Sequence, residues 1–344
     1  MVEKLSDVKK TYTSAEFIVS DSNGVEAGYI GSVEEMDIDI GGTNEFSFQL
    51  DMGDYTHEKY GYGCRFFIPG TEYGGIIECL EPSTADNIVV LSGYTWRGLL
   101  TQKVIVPPTT QEHVVLNGEL NTVIGELVTA KFNGLFVTSK EDSGVVLKNY
   151  KVPRFVTLYD AIIGFLEKNG FGLEITYIQS NTTDAGYVLL KAVKITDWSN
   201  ELEYSRDGTI NFRIKDDRKG INHLVCAGEG EGYERIRLDL YIQEDGTIGK
   251  ERFYTGLAER EGIYQSNSAD MNELLEGGIK RLEELRNKQT FEVTIEEYDV
   301  NLGDIVGGRE EVTGLYVKKP IVRKIINLEN GIVKVQYETK GDDQ

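Results

Sequence analysis

The 344 residues are enough for two or three domains, each with a core of its own. With 40% apolar and 27% charged residues the chain is that of a folded soluble protein, and 38 glycines against 6 prolines lean it toward β structure with glycine at the reversals. Its 57 acidic and 36 basic residues leave a net charge of −21, which argues against a grip on a phosphate backbone or an anionic membrane surface.

Residues 10–108 read as strands. Phe17-Ile-Val-Ser followed by Asp21-Ser-Asn-Gly opens a hairpin. Met36-Asp-Ile-Asp-Ile and Glu45-Phe-Ser-Phe-Gln-Leu-Asp-Met then alternate with period two. That places Met36, Ile38, Ile40, Phe46, Phe48, Leu50 and Met52 on buried faces, and Asp37, Asp39, Glu45, Ser47, Gln49 and Asp51 on the opposite ones. One oily and one acidic face suit the wall of a barrel or tube, and equally a sheet whose polar side meets bulk water. Pro107-Pro108 stop the pairing and the period changes. Residues 119–132 are helical, with Leu120, Val123, Ile124, Leu127 and Val128 on one face, and a second helix over 157–168 ends at Asn169-Gly170. Strands at 171–178 and 186–195 complete a small α+β insertion.

Residues 203–255 turn β again, at 209–214, 222–227 and 235–242. The next helix, from Ser268 as N-cap, carries Met271, Leu275, Leu282 and Leu285 as its stripe, and Gly277-Gly278 in its middle lets a neighbour approach. The last fifty residues form a meander, with Asn330-Gly331 as its hairpin turn. Its order of Gly-marked entry, short strand, loop, strand and return repeats that of residues 60–94. The repeat is either an internal duplication or two unrelated meanders of similar spacing.

Chemistry is sparse. His57, His113 and His223 are scattered, and His223 and Cys226 on one strand point to opposite faces, so no metal site is expected. Gly246-Thr-Ile-Gly-Lys-Glu lacks the P-loop spacing, no helix follows Gly228-Glu-Gly-Glu-Gly, and no GxSxG elbow occurs. The pairs Glu296-Glu297 and Glu310-Glu311 read as solvated surface. Cys64, Cys79 and Cys226 form no CxxC, which suits a reducing cytoplasm. The first ten residues lack the apolar stretch of a signal peptide, and no apolar run approaches the roughly 20 residues of a membrane span. No catalytic residue and no cofactor are expected.

Three segments resemble the tail hub (baseplate hub) proteins of siphophages, prophages and phage-tail-like particles. They are Gly93-Tyr-Thr-Trp-Arg-Gly-Leu-Leu-Thr-Gln-Lys-Val-Ile-Val-Pro, with Lys103 where relatives often have arginine; Asn222-His-Leu-Val-Cys-Ala-Gly-Glu-Gly-Glu-Gly-Tyr-Glu-Arg; and Leu302-Gly-Asp-Ile-Val-Gly-Gly with Thr313-Gly-Leu-Tyr-Val-Lys-Lys-Pro-Ile-Val and Asn330-Gly-Ile. The resemblance implies a mainly β fold with an α+β insertion: two tail-tube-like antiparallel β-barrels, over 1–108 and 203–344, and a small α+β domain over 109–202, with 203–255 alternatively packing back on the first barrel. It also implies a non-enzymatic homotrimer in the virion tail, made in the bacterial host cytoplasm, that joins the sixfold tube protein to a threefold tip or spike and other baseplate proteins. DNA then passes without specific binding, no membrane is entered, and Asp37, Asp39, Glu45 and Asp51 become candidates for the channel lining. Two other readings are a tail-tip glycan-binding module using the aromatic-rich residues 55–67, and a cell-wall-degrading tail enzyme.

Overall fold

The computed structural model describes residues 17–30, 33, 35–129, 131–132, 134–179, 184–199, 210–295, 300–310, 312–329 and 332–340. Among them are 24 strands and five α-helices, so the protein is mainly β. The chain divides into two compact units: described residues up to 211 with 293–309 and 318–338, and residues 212–292, 310–317 and 339 onward.

The first unit is built on a sheet in the order Cys79–Ser83, Ile88–Tyr94, Glu45–Asp51, Glu35–Ile40, Tyr316–Glu329 and Ile332–Thr339, with Ile305–Arg309 also on Tyr316–Glu329. Period-two alternation sets its two faces. Leu328, Met36, Phe48 and Leu91 stand in one cross-strand row and are buried. Asn327, Asp37, Ser47 and Ser92 form the next row, on the other face. A second sheet, ordered Glu26–Tyr29, Ile18–Ser20, Arg65–Phe67, Gly74–Ile76, brings Phe66 against Phe46 (4.4 Å) and Phe48 (5.4 Å). The hairpin at Asp21 forms as its residues require: the carboxylate accepts from the amides of Asn23 and Val25, both at 2.9 Å, and Gly24 takes the left-handed conformation (φ 88°). Met52 departs from the expectation. The strand ends at Asp51, whose carboxylate accepts from Gly53 N (2.7 Å) and turns the chain, leaving Met52 only half-buried.

The α+β part packs the helices Leu120–Thr129 and Leu158–Lys168 with a three-stranded sheet ordered Phe136–Thr138, Tyr187–Lys194, Phe171–Ile178. Thr157 caps the second helix through Asp160 N (3.0 Å), and Gly170 follows it at φ 74°. Phe67, Trp96, Leu99, Leu100 and Ile105 lie in the same core as Leu120, Ile162, Phe165 and Tyr177. Residues on both sides of position 108 thus share one core, and the pairing of Tyr316–Glu329 with Glu35–Ile40 brings an early and a late segment of the chain into one sheet.

The second unit carries a four-stranded sheet, ordered Ile248–Gly249, Arg237–Ile242, His223–Ala227, Glu261–Gln265, the last pair parallel. The Met271–Leu285 helix packs on one face. Its N-cap is Asp270 and not Ser268: the Asp270 carboxylate accepts from Asn272 N (2.8 Å) and Glu273 N (3.0 Å), while Glu273 Oε2 accepts from Asp270 N (3.2 Å). The face turned to the sheet is centred on Leu274, Gly278 and Leu282, with Leu275 partly buried beside it and Met271 exposed. A Cβ on Gly278 would lie 2.8 Å from both Cys226 Sγ and Leu240 Cδ1, so the close approach expected at the glycine pair occurs there. Asn330-Gly331, Glu296-Glu297 and Glu311 lie outside the described residues.

Candidate functional site

Asp37, Asp39, Glu45 and Asp51 all stand on the face of the first unit's main sheet that points away from the core, Asp37 and Asp39 half-buried and Glu45 and Asp51 exposed. Their surroundings differ. Asp39 takes a two-point contact from Arg323 (Nε–Oδ1 3.0 Å, Nη2–Oδ2 2.9 Å) and further donors from the Gly42 and Thr43 amides, each at 3.1 Å. Burial works to raise the Asp39 carboxyl, but Arg323 and Thr43 outweigh it and hold it below the usual range. Arg323 also grips Glu338 at 3.0 Å, so one cation serves two acids. Asp37 accepts from the side-chain amide of Asn327. Asp51 is tied to Asn87 Nδ2 (3.0 Å) as well as to its turn. Glu45 lies across from Tyr94 at the strand's exposed start.

Arg323, Asn327 and Glu338 went unnoticed in the sequence. Alternation within their strands marks them as outward, but only the cross-strand pairing with Glu35–Ile40 puts Arg323 and Asn327 beside the acids. The same strand turns Lys324 inward, almost wholly buried, with its ammonium 3.8 Å from Glu72. Glu72 pairs at 2.7 Å with Arg97, itself buried and donating to the Leu173 carbonyl at 3.1 Å. These charges link the main sheet to the α+β core, and removing one partner would leave another buried without its counter-charge.

The three segments singled out in the sequence are likewise structural. Thr95 caps the Trp96–Thr101 helix through Gly98 N (3.2 Å) and donates to Asn44 O (3.0 Å), while Trp96 stacks on Tyr177 at 5.0 Å. Arg235 donates to the Gly228 carbonyl (3.0 Å) and to Asn267 (2.6 Å), closing the Gly-Glu-Gly turn. Asp304, buried, accepts from Thr196 N (2.9 Å), Trp198 Nε1 (3.2 Å) and Asn301 N (3.1 Å); burial pushes its carboxyl up against the pull of these donors. Of the aromatic-rich residues 55–67, Tyr60, Phe66 and Phe67 are core and Tyr62 is exposed.

In the second unit, His223 and Cys226 do point to opposite faces: Cys226 meets the helix at Gly278, and His223 stacks on Tyr241 (4.3 Å). His223 Nε2 lies 2.9 Å from Asp239 Oδ1, and its Nδ1 lies 3.1 Å from Glu259 and 3.2 Å from Glu261. Among the described residues, His223, Glu259 and Glu261 form the group able to hold a metal ion. The sequence hid it because the acids come from a loop and an edge strand more than thirty residues beyond the histidine.

No family model matches the sequence, and no curated protein does. In fold the chain is similar to the prophage MuSo2 43 kDa tail protein from Shewanella oneidensis, at 13% identity over 96% of this chain and 99% of that one, with a TM-score of 0.52. It is also similar to the tail protein from Neisseria meningitidis (14% identity, 95% and 97% covered, TM-score 0.47) and to a chain of the p2 virion baseplate in its activated conformation (12%, 94% and 98%, TM-score 0.46). Over nearly its whole length the chain thus has the fold of a phage tail protein. No helix among the described residues is long and apolar enough to cross a membrane.

Proposed function

We propose that this protein is a non-catalytic structural hub at the distal end of a phage or phage-like tail tube. The observation that carries the reading is the end-to-end likeness to a prophage tail protein, which leaves almost none of either chain unmatched. In this reading three copies form a ring, and the two β regions of each copy close as tube-like barrels, so that six similar modules face the sixfold tube and a threefold surface receives the tip or spike. The α+β portion and the buried Glu72, Arg97 and Lys324 charges keep those modules rigid. The sheet face bearing Asp37, Asp39, Glu45 and Asp51 lines a channel along which DNA slides without sticking.

Mass by light scattering, followed by two-dimensional class averages, tests the reading on the purified chain alone and mixed with its tail-tube protein. The expected result is a threefold ring with a central opening in at least the mixed sample. A protein that stays monomeric in both, or closes without an opening, overturns it.

A further inference from the structure

The cluster around His223 has a property that ion pairing alone does not relieve. Asp239 is gripped by Arg237 at 2.9 and 3.0 Å, an arrangement that keeps it ionised, and it takes the Nε2–H of His223 at 2.9 Å. With the proton on Nε2 alone, Nδ1 presents a lone pair. Nδ1 lies within ion-pair distance of Glu259 Oε1 and Glu261 Oε1 but has hydrogen-bond geometry to neither. The histidine side chain is only 8% exposed, so water does not readily take up the free valence. Three side chains that can each offer a ligand atom therefore converge, those atoms all within 4.8 Å of one another.

The geometry points to a divalent transition-metal site of the zinc class formed by His223 Nδ1, Glu259 and Glu261. Ligand bonds of about 2.0–2.2 Å at tetrahedral angles put neighbouring donors about 3.3 Å apart, close to the two separations measured from Nδ1. Imidazole with two carboxylates is a donor set suited to zinc or manganese. Asp239 is the positioning residue: by holding Nε2–H it fixes the tautomer and the ring orientation that turn Nδ1 toward the metal. Arg252, which pairs with Glu259 at 2.9 Å, fixes the second ligand in the same way. Glu261 is 63% exposed on the edge strand Glu261–Gln265, so the fourth coordination position opens to solvent and the ion has a way in. Bound metal would tie that edge strand, the loop carrying Glu259 and the His223 strand into one rigid corner.

The test uses the full chain, freed of metal by chelator and titrated with zinc chloride near neutral pH. The expected result is saturable binding at one site per chain with a rise in unfolding temperature. Glu261→Gln, placed on an exposed edge where it leaves folding intact, weakens binding about tenfold or more. Nitrogen-15 spectra should show His223 Nε2 still protonated and Nδ1 shifted by the metal. Absence of saturable binding overturns the assignment, as does an affinity unchanged from the parent protein in Glu261→Gln or in His223→Gln. A His223 that keeps protons on both nitrogens at saturating zinc also overturns it, since the cation between the carboxylates is then a proton.

Discussion

Glu119 shows how much one side chain at the mouth of a helix can set. Its carboxylate accepts from Thr122 N (2.9 Å), Ser143 N (3.0 Å) and Ser143 Oγ (2.6 Å), tying the start of the Leu120–Thr129 helix to a turn 24 residues further on. Burial works to raise the carboxyl, but these donors overcome it and bring it from 4.5 to about 2. A folded value below the unfolded one means the stabilisation is fully present above about 4.5 and is lost as pH falls through about 2. Glu119→Gln should therefore be less stable at neutral pH by about 1–2 kcal/mol, allowing for screening at a partly exposed group. Urea midpoints measured down the acid range should show the two proteins converging. A constant difference at every pH would mean that the hydroxyl and amide contacts matter and the charge does not. The sequence marks Glu119 as the first residue of a helix, but Ser143 as its partner is set by a fold-back that no local pattern encodes.

At the level of elements, what was legible is what depends on period and local capping. The Glu35–Ile40 and Glu45–Asp51 hairpin bury the apolar residues that alternation assigns, except Met52, and all four candidate acids fall on the outward face. Both helices of the α+β part also stand where their apolar spacing puts them. What was not legible is pairing across the chain: Arg323 beside Asp39, Lys324 turned inward to Glu72, and Glu259 and Glu261 brought to His223. Each follows from strand register fixed by burial of distant residues. The glycines divide along the same line. A Cβ at Gly98 would sit 2.2 Å from the Asn44 carbonyl oxygen, a backbone atom held by Thr95, whereas at Gly277 it would meet the hydroxyl end of Tyr264 at 2.5 Å, a side chain able to swing. Alanine gains about 1 kcal/mol of helix propensity over glycine at either position. Gly277→Ala should then be neutral to stabilising, and Gly98→Ala destabilising by about 1–3 kcal/mol through overpacking, as thermal and urea unfolding of the two variants would show. Equal effects at both positions would mean the Trp96–Thr101 helix can shift off Asn44 without loss.

Across the whole molecule the excess of 21 negative charges has a physical consequence for a ring through which DNA is proposed to pass. A lining of net negative potential keeps the phosphate backbone from settling, while isolated cations on it act as sticking points. On the acidic sheet face the cation of the Asp39 pair, Arg323, is already shared between Asp39 and Glu338, so it offers little to a phosphate. Glu45 is exposed, and Gln49 lies two pleats along the same strand on the same face. Replacing both with lysine places two added cations where the channel wall is proposed, on side chains that are not core, the one at 49 beside the Glu35 carboxylate. Assembled rings of the Glu45→Lys, Gln49→Lys variant should retain double-stranded DNA at low salt and release it as salt rises, with a slope of about one in log–log terms for each phosphate neutralised per lysine reached. The parent ring should show no retention under the same conditions. If the variant assembles normally and retains no more DNA than the parent, this face does not meet the passing duplex, and the acidic residues serve only to keep neighbouring particles apart in solution.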